Sequence, residues 1–170
     1  MAEIVPSGIE KINRSQFLTY LDTTPNTNSP TWAVLGVGIT DYAIDYNPQV
    51  DSEKWIIEDT ARNDHTSNQK QGNAEQKIYK GDPCFEFANN GRDKLNYKTH
   101  ILDIDRWNGT GTTTVTYPAR KSDAILVISS EMGENAVLSY QLRYDGDPVE
   151  GTVTFDATTG VPTFTPTTNL

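Results

Sequence analysis

The chain has 170 residues, 35% of them hydrophobic, and 14 basic against 23 acidic side chains give a formal net charge of −9. That length suits one domain with a core of its own, while the acidity argues against a free-standing nucleic-acid binder, whose affinity comes from neutralising phosphates. A single cysteine, Cys84, excludes an intramolecular disulfide.

The first residues lack a basic region followed by an apolar run, so no secretory signal is expected. No apolar stretch approaches the roughly 20 residues that cross a bilayer. The expectation is a soluble chain made in the cytoplasm, with no membrane insertion. The low apolar content fits a subunit that completes its core with neighbours, and it equally fits a chain with long polar loops.

Residues 1–30 read as a loose arm. Ile9, Ile12, Phe17, Leu18 and Leu21 have partial helical spacing, and the Pro- and Asn-rich stretch 23–30 ends any regular structure. A first strand is expected over 31–38, a short strand or turn over 39–48, and a long strand over 51–60 centred on Trp55, Ile56 and Ile57. Residues 61–76 are almost wholly polar and too long for an ordinary connection. They read as an interaction loop, a hairpin extension reaching out of the domain. Residues 76–80 return as a strand.

Asp82 and Pro83 then form a helix start, a capping carboxylate followed by proline at the first helical position. The helix is expected to run to about Leu95 and to bury Phe85, Ala88 and Leu95. Asn89-Asn-Gly91 weakens it, because glycine costs about 1 kcal/mol against alanine in a helix, so a strand ending there is the alternative.

Downstream the pattern is β. Residues 99–107 form a strand, Asn108-Gly-Thr-Gly111 a hairpin turn, and 112–117 its return. Residues 123–131 are apolar at every position from Ala124 to Ile128, which predicts burial on both faces. Gly133-Glu-Asn135 turns the chain. Leu138, Tyr140, Leu142 and Tyr144 then share one face of a strand whose other face is polar. Residues 144–155 read as strand, tight turn at Asp145-Gly-Asp-Pro148, strand, and 163–170 as a polar tail. The fold class is mainly β, a sandwich or partly closed barrel with one short flanking α-helix. Its strand edges must be covered or paired.

Reactive motifs are scarce. Asp103 and Asp105 could begin a calcium loop, but glycine is missing at position six and a bidentate glutamate at position twelve, where Thr114 stands. Asp145, Asp147 and Glu150 cluster around a turn, where backbone hydrogen bonding explains them better than a cation site. His65 and His100 have no second ligand at zinc spacing. Cys84 lacks a nucleophile signature, and Gly36-Val-Gly38 lacks the rest of a phosphate loop. No catalytic constellation and no cofactor are expected. Trp32, Trp55 and Trp107 could form a sugar platform, although aromatic residues on strands more often serve a core.

Several phrases together resemble the major tail tube protein of long-tailed phages. They are Ser29-Pro-Thr-Trp-Ala-Val-Leu-Gly36, Asp45-Tyr-Asn-Pro48, Tyr79-Lys-Gly-Asp-Pro83, Ala124-Ile-Leu-Val-Ile-Ser129, Tyr144-Asp-Gly-Asp-Pro-Val-Glu-Gly-Thr-Val-Thr-Phe155 and Gly160-Val-Pro-Thr-Phe164. The similarity covers roughly residues 29–165. It implies a β-sandwich with a flanking helix at 31–164, forming rings of six whose inner sheets fuse into a barrel around a lumen. The rings would stack around a tape-measure protein, between tail-tip or baseplate and tail terminator proteins, and genomic DNA would later pass through without specific binding. The location implied is the virion tail, with assembly in the host cytoplasm.

By the same resemblance residues 61–76 are the inter-ring loop, with Arg62, Asp64, His65, Gln69, Lys70 and Glu75 as contact candidates. Residues 1–30 and 165–170 become joining arms. Glu53, Glu58, Asp59, Asp103 and Asp105 become candidates for an acidic lumen lining. The inner tube of a contractile tail or injection particle shares this fold, and a monomeric carbohydrate-binding sandwich is the alternative from another class.

Overall fold

A computed structural model describes residues 8–168, so the outer parts of both expected arms, residues 1–7 and 169–170, lie outside the described residues. The protein is mainly β, with one short helix and a main sheet that curls into a half-barrel. Ten strands occur, in chain order β1 Phe17–Asp22, β2 Trp32–Val34, β3 Ile39–Asp45, β4 Pro48–Glu53, β5 Arg62–Asn68, β6 Gln71–Lys77, β7 Tyr97–Asp105, β8 Tyr117–Glu131, β9 Val137–Phe155 and β10 Pro162–Pro166. The helix α1 spans Pro83–Asn90, between β6 and β7. The main sheet is eight-stranded, in the order β2-β1-β7-β8-β9-β6-β3, with β10 paired to β9 as well. Strands β4 and β5 form a separate two-stranded ribbon.

The two faces of the main sheet are buried in different ways. One face carries Leu21, Ile101, Ala124, Leu126, Leu138, Tyr140 and Leu142, and α1 covers it with Cys84, Phe87 and Ala88. The other face carries Leu102, Ile104, Ala119 and Val153, and no helix covers it. It is buried by the curl itself. Tyr20 on β1 and Phe155 on β9 are separated by β7 and β8, about 14 Å across a flat sheet, yet their ring centroids are 6.2 Å apart. Phe155 also meets Tyr117 edge to face at 5.6 Å.

The bend has a local cause in β9. Lys121 pairs with Val149 and Asp123 with Asp145, so Gly146, Asp147 and Pro148 stand opposite the single residue Ser122. Gly146 takes a φ of 75°, which suits glycine, and Pro148 has no N–H for the ladder. The expected tight turn is therefore a bulge in one continuous strand of 19 residues. Extra residues in one strand sharpen local twist and bend. Before the bulge β9 pairs with β6, and beyond it with β10.

Other expectations shift for similar reasons. The helix is real and capped as expected, with Asp82 accepting from the Phe85 N–H at 3.0 Å, but it ends at Asn90. Leu95 lies beyond it and is 93% exposed. The arm assigned to 1–30 stops short, because Phe17–Asp22 is an inner strand of the sheet with Leu21 fully buried. The partial helical spacing there yields only a 3-10 turn at Arg14–Gln16. The tail assigned to 165–170 likewise loses Thr165 and Pro166 to β10.

The strand expected over 51–60 ends at Glu53, and Trp55, Ile56 and Ile57 form the turn that follows. The strand expected over 31–38 shortens to Trp32–Val34, and 39–48 holds β3. Between β7 and β8 the chain makes a longer excursion closed by a Thr110–Thr116 bridge, not a two-residue hairpin. Residues 124–128 alternate in exposure, with Val127 40% exposed. The run is one-sided in this isolated chain.

Candidate assembly surfaces

The projecting hairpin is the most unusual surface. Strands β4 and β5 continue the β3–β6 pair outward past a break at Tyr46-Asn47 and Gln69-Lys70. Asn47 takes a φ of 41° there and donates through Nδ2 to the Gln69 carbonyl at 3.2 Å. Every residue of both strands is exposed. Cross-strand side chains replace a core: Ser52 donates to Asn63 Oδ1 at 2.6 Å, and Thr66 to the Gln49 carbonyl at 3.2 Å. At six to seven residues a strand the ribbon reaches out by about 20 Å.

The tip is held by three side chains. The Arg62 guanidinium lies 4.1 Å from the Trp55 ring centroid and ion-pairs with Glu58. The Glu58 N–H donates to the Trp55 carbonyl at 3.0 Å, closing the turn. Ile56 and Ile57 are thereby turned outward, at 102% and 84% exposure.

The expected contact residues divide between this ribbon and the sheet. Arg62, Asp64 and His65 lie on β5, and His65 Nε2 sits 2.8 Å from Asn68 Oδ1. Gln69 is at the ribbon's root. Lys70 is half-buried there, its ammonium 4.0 Å from the Tyr144 ring centroid and 3.6 Å from Asp103 Oδ2. Glu75 belongs to β6 in the main sheet. Residues 61–76 are thus one arm of a ribbon plus an inner strand, and not a loop.

The expected lumen carboxylates also separate. Glu53, Glu58 and Asp59 are on the ribbon, with Glu58 engaged by Arg62. Asp103 is only 7% exposed. Thr19 donates to its Oδ1 at 2.9 Å and Tyr144 to its Oδ2 at 3.0 Å. It is a largely buried carboxylate whose two oxygens are both partnered within the subunit. Asp105, near the end of β7, sits 3.8 Å from Arg120 and stays half-exposed. Burial, then the Tyr42 phenol and the Asp103 charge, hold the Tyr144 hydroxyl well above the ordinary phenol range.

Two further polar knots could not be read from local pattern. Gln76 is fully buried on β6, donates to Asp82 Oδ2 at 2.6 Å and to the Val37 carbonyl at 2.9 Å, and accepts from Tyr140 at 2.8 Å. It ties the helix cap to the sheet. Asp22 is 1% exposed, accepts from the N–H groups of Thr24 and Thr31 at 3.0 Å, and meets His100 Nδ1 at 2.9 Å. His100 is therefore a structural partner of the 23–31 loop. Burial first, then Asp82, pushes the Cys84 thiol up to about 12, which makes it unreactive at neutral pH.

The edges of the main sheet are open. The outer sides of β2, β3 and β10 have no strand beside them among the described residues. Inside the curl, between β2 and β10, lies a groove of about 590 Å³ lined chiefly by Trp32, Val149, Val161, Phe164, Pro166 and Lys121. Trp32, Trp55 and Trp107 sit on three separate elements, with Trp55 under Arg62. Among the described residues no group of His, Cys, Asp and Glu could hold a metal ion, and no helix is long and apolar enough to cross a membrane. No protein-family model matches the chain, and no curated protein matches it.

Proposed function

We propose that this protein is the structural subunit of a phage tail tube, assembling as six-membered rings that stack around a tape-measure protein. The observation that carries this reading is the sheet that curls without closing. Its edges β2, β3 and β10 leave backbone donors and acceptors free on one side. Unpaired edges in a native protein invite pairing with another chain unless they are blunted, and closure by identical neighbours removes them all at once. The exposed ribbon adds a second reach toward neighbours, and the sequence resemblance supplies the identity of the assembly. In this reading the ribbon, rather than a flexible loop, joins ring to ring.

The net charge of −9 suits a channel through which DNA slides. Duplex DNA carries about one negative charge per 1.7 Å of axis, and carboxylates offer it no holding contacts while counterions screen the repulsion. Glu53 and Asp105 remain candidates for that lining. Asp103 is withdrawn from it, because its oxygens are already bonded within the sheet.

Negative-stain microscopy and sedimentation of concentrated protein, with and without a tail-tip initiator, test the reading. Hollow tubes or six-membered rings are expected. A strictly monomeric species under both conditions removes it.

A further inference from the structure

We propose that the hairpin tip of one subunit docks into the concave groove of a second copy, with Ile56 and Ile57 seated among Trp32, Val149, Val161 and Phe164. This deepens the self-association reading and rests on it.

The two surfaces are complementary in chemistry, a projecting apolar tip and a concave apolar groove. The tip presents two β-branched apolar side chains at the end of an otherwise polar ribbon, and neither contributes to the subunit's own core. The turn beneath them is already fixed by the Trp55, Arg62 and Glu58 cluster. Docking therefore orders little that is not ordered beforehand, and preorganisation of this kind favours binding. The groove is concave and apolar, with Val149 and Val161 still 50% and 47% exposed at its rim. Apolar anchors entering a pocket ringed by polar groups are the usual energetic centre of an interface.

Charge sets the orientation. Lys121 lines the groove, and Asp59 stands two residues past Ile57. Neither has an ion-pair partner among the described residues. Seating the tip brings a carboxylate toward an ammonium, and opposite charges across an interface fix register.

The tip and the groove are different patches of one molecule, so the contact is heterologous. Such contacts generate rings where the rotation closes and filaments where it does not. Both belong to a tube.

The test uses the full chain in two arms. In the first, Ile56→Cys protein is mixed with Val161→Cys protein under mild oxidation. A cross-linked heterodimer is expected, and none when Val161→Cys is replaced by Thr152→Cys, an exposed site on the opposite face of β9. Cys84 is buried and stays out of the reaction. In the second, the Ile56→Asp/Ile57→Asp variant should raise the concentration needed for assembly about tenfold or more, with an unchanged melting curve. Asp59→Lys should weaken assembly, and adding Lys121→Asp should restore it. If wild-type protein assembles but neither the cross-link nor the loss is seen, the docking site is wrong while self-association stands. If wild-type protein never associates, even with an initiator, both fall.

Discussion

The ribbon β4–β5 and the curled sheet are both antiparallel β-structure, and they are held by opposite means. The sheet buries both faces, one under α1 and one inside its own curl. The ribbon has no core, and each residue of its two strands is exposed. It keeps strand geometry because it extends a ladder that the core has already paired, so no separate nucleation is needed. A two-stranded hairpin by itself is marginal in water. The ribbon's free energy of opening should therefore lie near the bottom of the range found within one protein, and the sheet's near the top. Regular backbone is thus no guide to where stability resides.

That contrast can be broken in the core first. Leu142 is fully buried on β9 against the helix face, and Leu142→Ala should cost about 2–5 kcal/mol in chemical denaturation. Replacing residues 49–67 by a two-residue turn should cost less than about 1 kcal/mol and leave the cooperative transition in place. A large loss from the trimmed ribbon would show that it shares the sheet's folding unit.

The second prediction sharpens the role of the chain's end. A Cβ on Gly151 would stand 2.3 Å from the Thr165 carbonyl oxygen and 2.6 Å from the Phe164 ring. Backbone cannot step aside as a side chain can, so Gly151→Ala should destabilise by about 1–3 kcal/mol. It should speed amide exchange in β10 well before β6. Uniform exchange along β10 and β6 would show that β10 is not a separable strand.

The mildest perturbation is alkaline. Burial raises the phenols of Tyr42, Tyr140 and Tyr144 above their ordinary value, with Asp103 or Asp82 adding to the effect. A group whose pKa is higher in the folded state contributes stability in full below its unfolded value, about 10 for tyrosine. That contribution is lost as pH rises further. Stability should be flat from neutral pH to about 10 and fall above it, with late phenolate absorbance. The ribbon residues 48–68 contain no tyrosine, so their protection, corrected for the intrinsic pH dependence of exchange, should not fall with this phenol titration until the sheet itself opens. Full phenol titration near pH 10 in the folded protein would contradict the buried placement.

How much of this was legible in the sequence differs from element to element. Period-two alternation placed Leu138, Tyr140 and Leu142 on one buried face because that signal depends only on strand geometry. Asp82-Pro83 placed the start of α1 because capping is local chemistry. The mainly β class follows from the same local rules, as does the projection of a polar segment near residues 61–76.

What the tertiary structure decided lies where distant segments meet. Asp145-Gly-Asp-Pro148 has turn chemistry, but the partner strand β8 runs unbroken past it and makes it a bulge. Asp103 looks like a surface carboxylate by residue type, and only the approach of Thr19, Lys70 and Tyr144 from three other segments buries it. Leu18 and Leu21 look like a helix face in an arm, yet β7 was waiting with Ile101 and Ile104 at matching positions. The apolar run at 55–57 looks like a buried strand and instead caps an exposed turn, since strand pairing ends at Glu53 and Arg62. Local sequence determines propensity and face. Which face is covered, and by what, depends on segments as far as 84 residues away, and no window of neighbouring residues contains them.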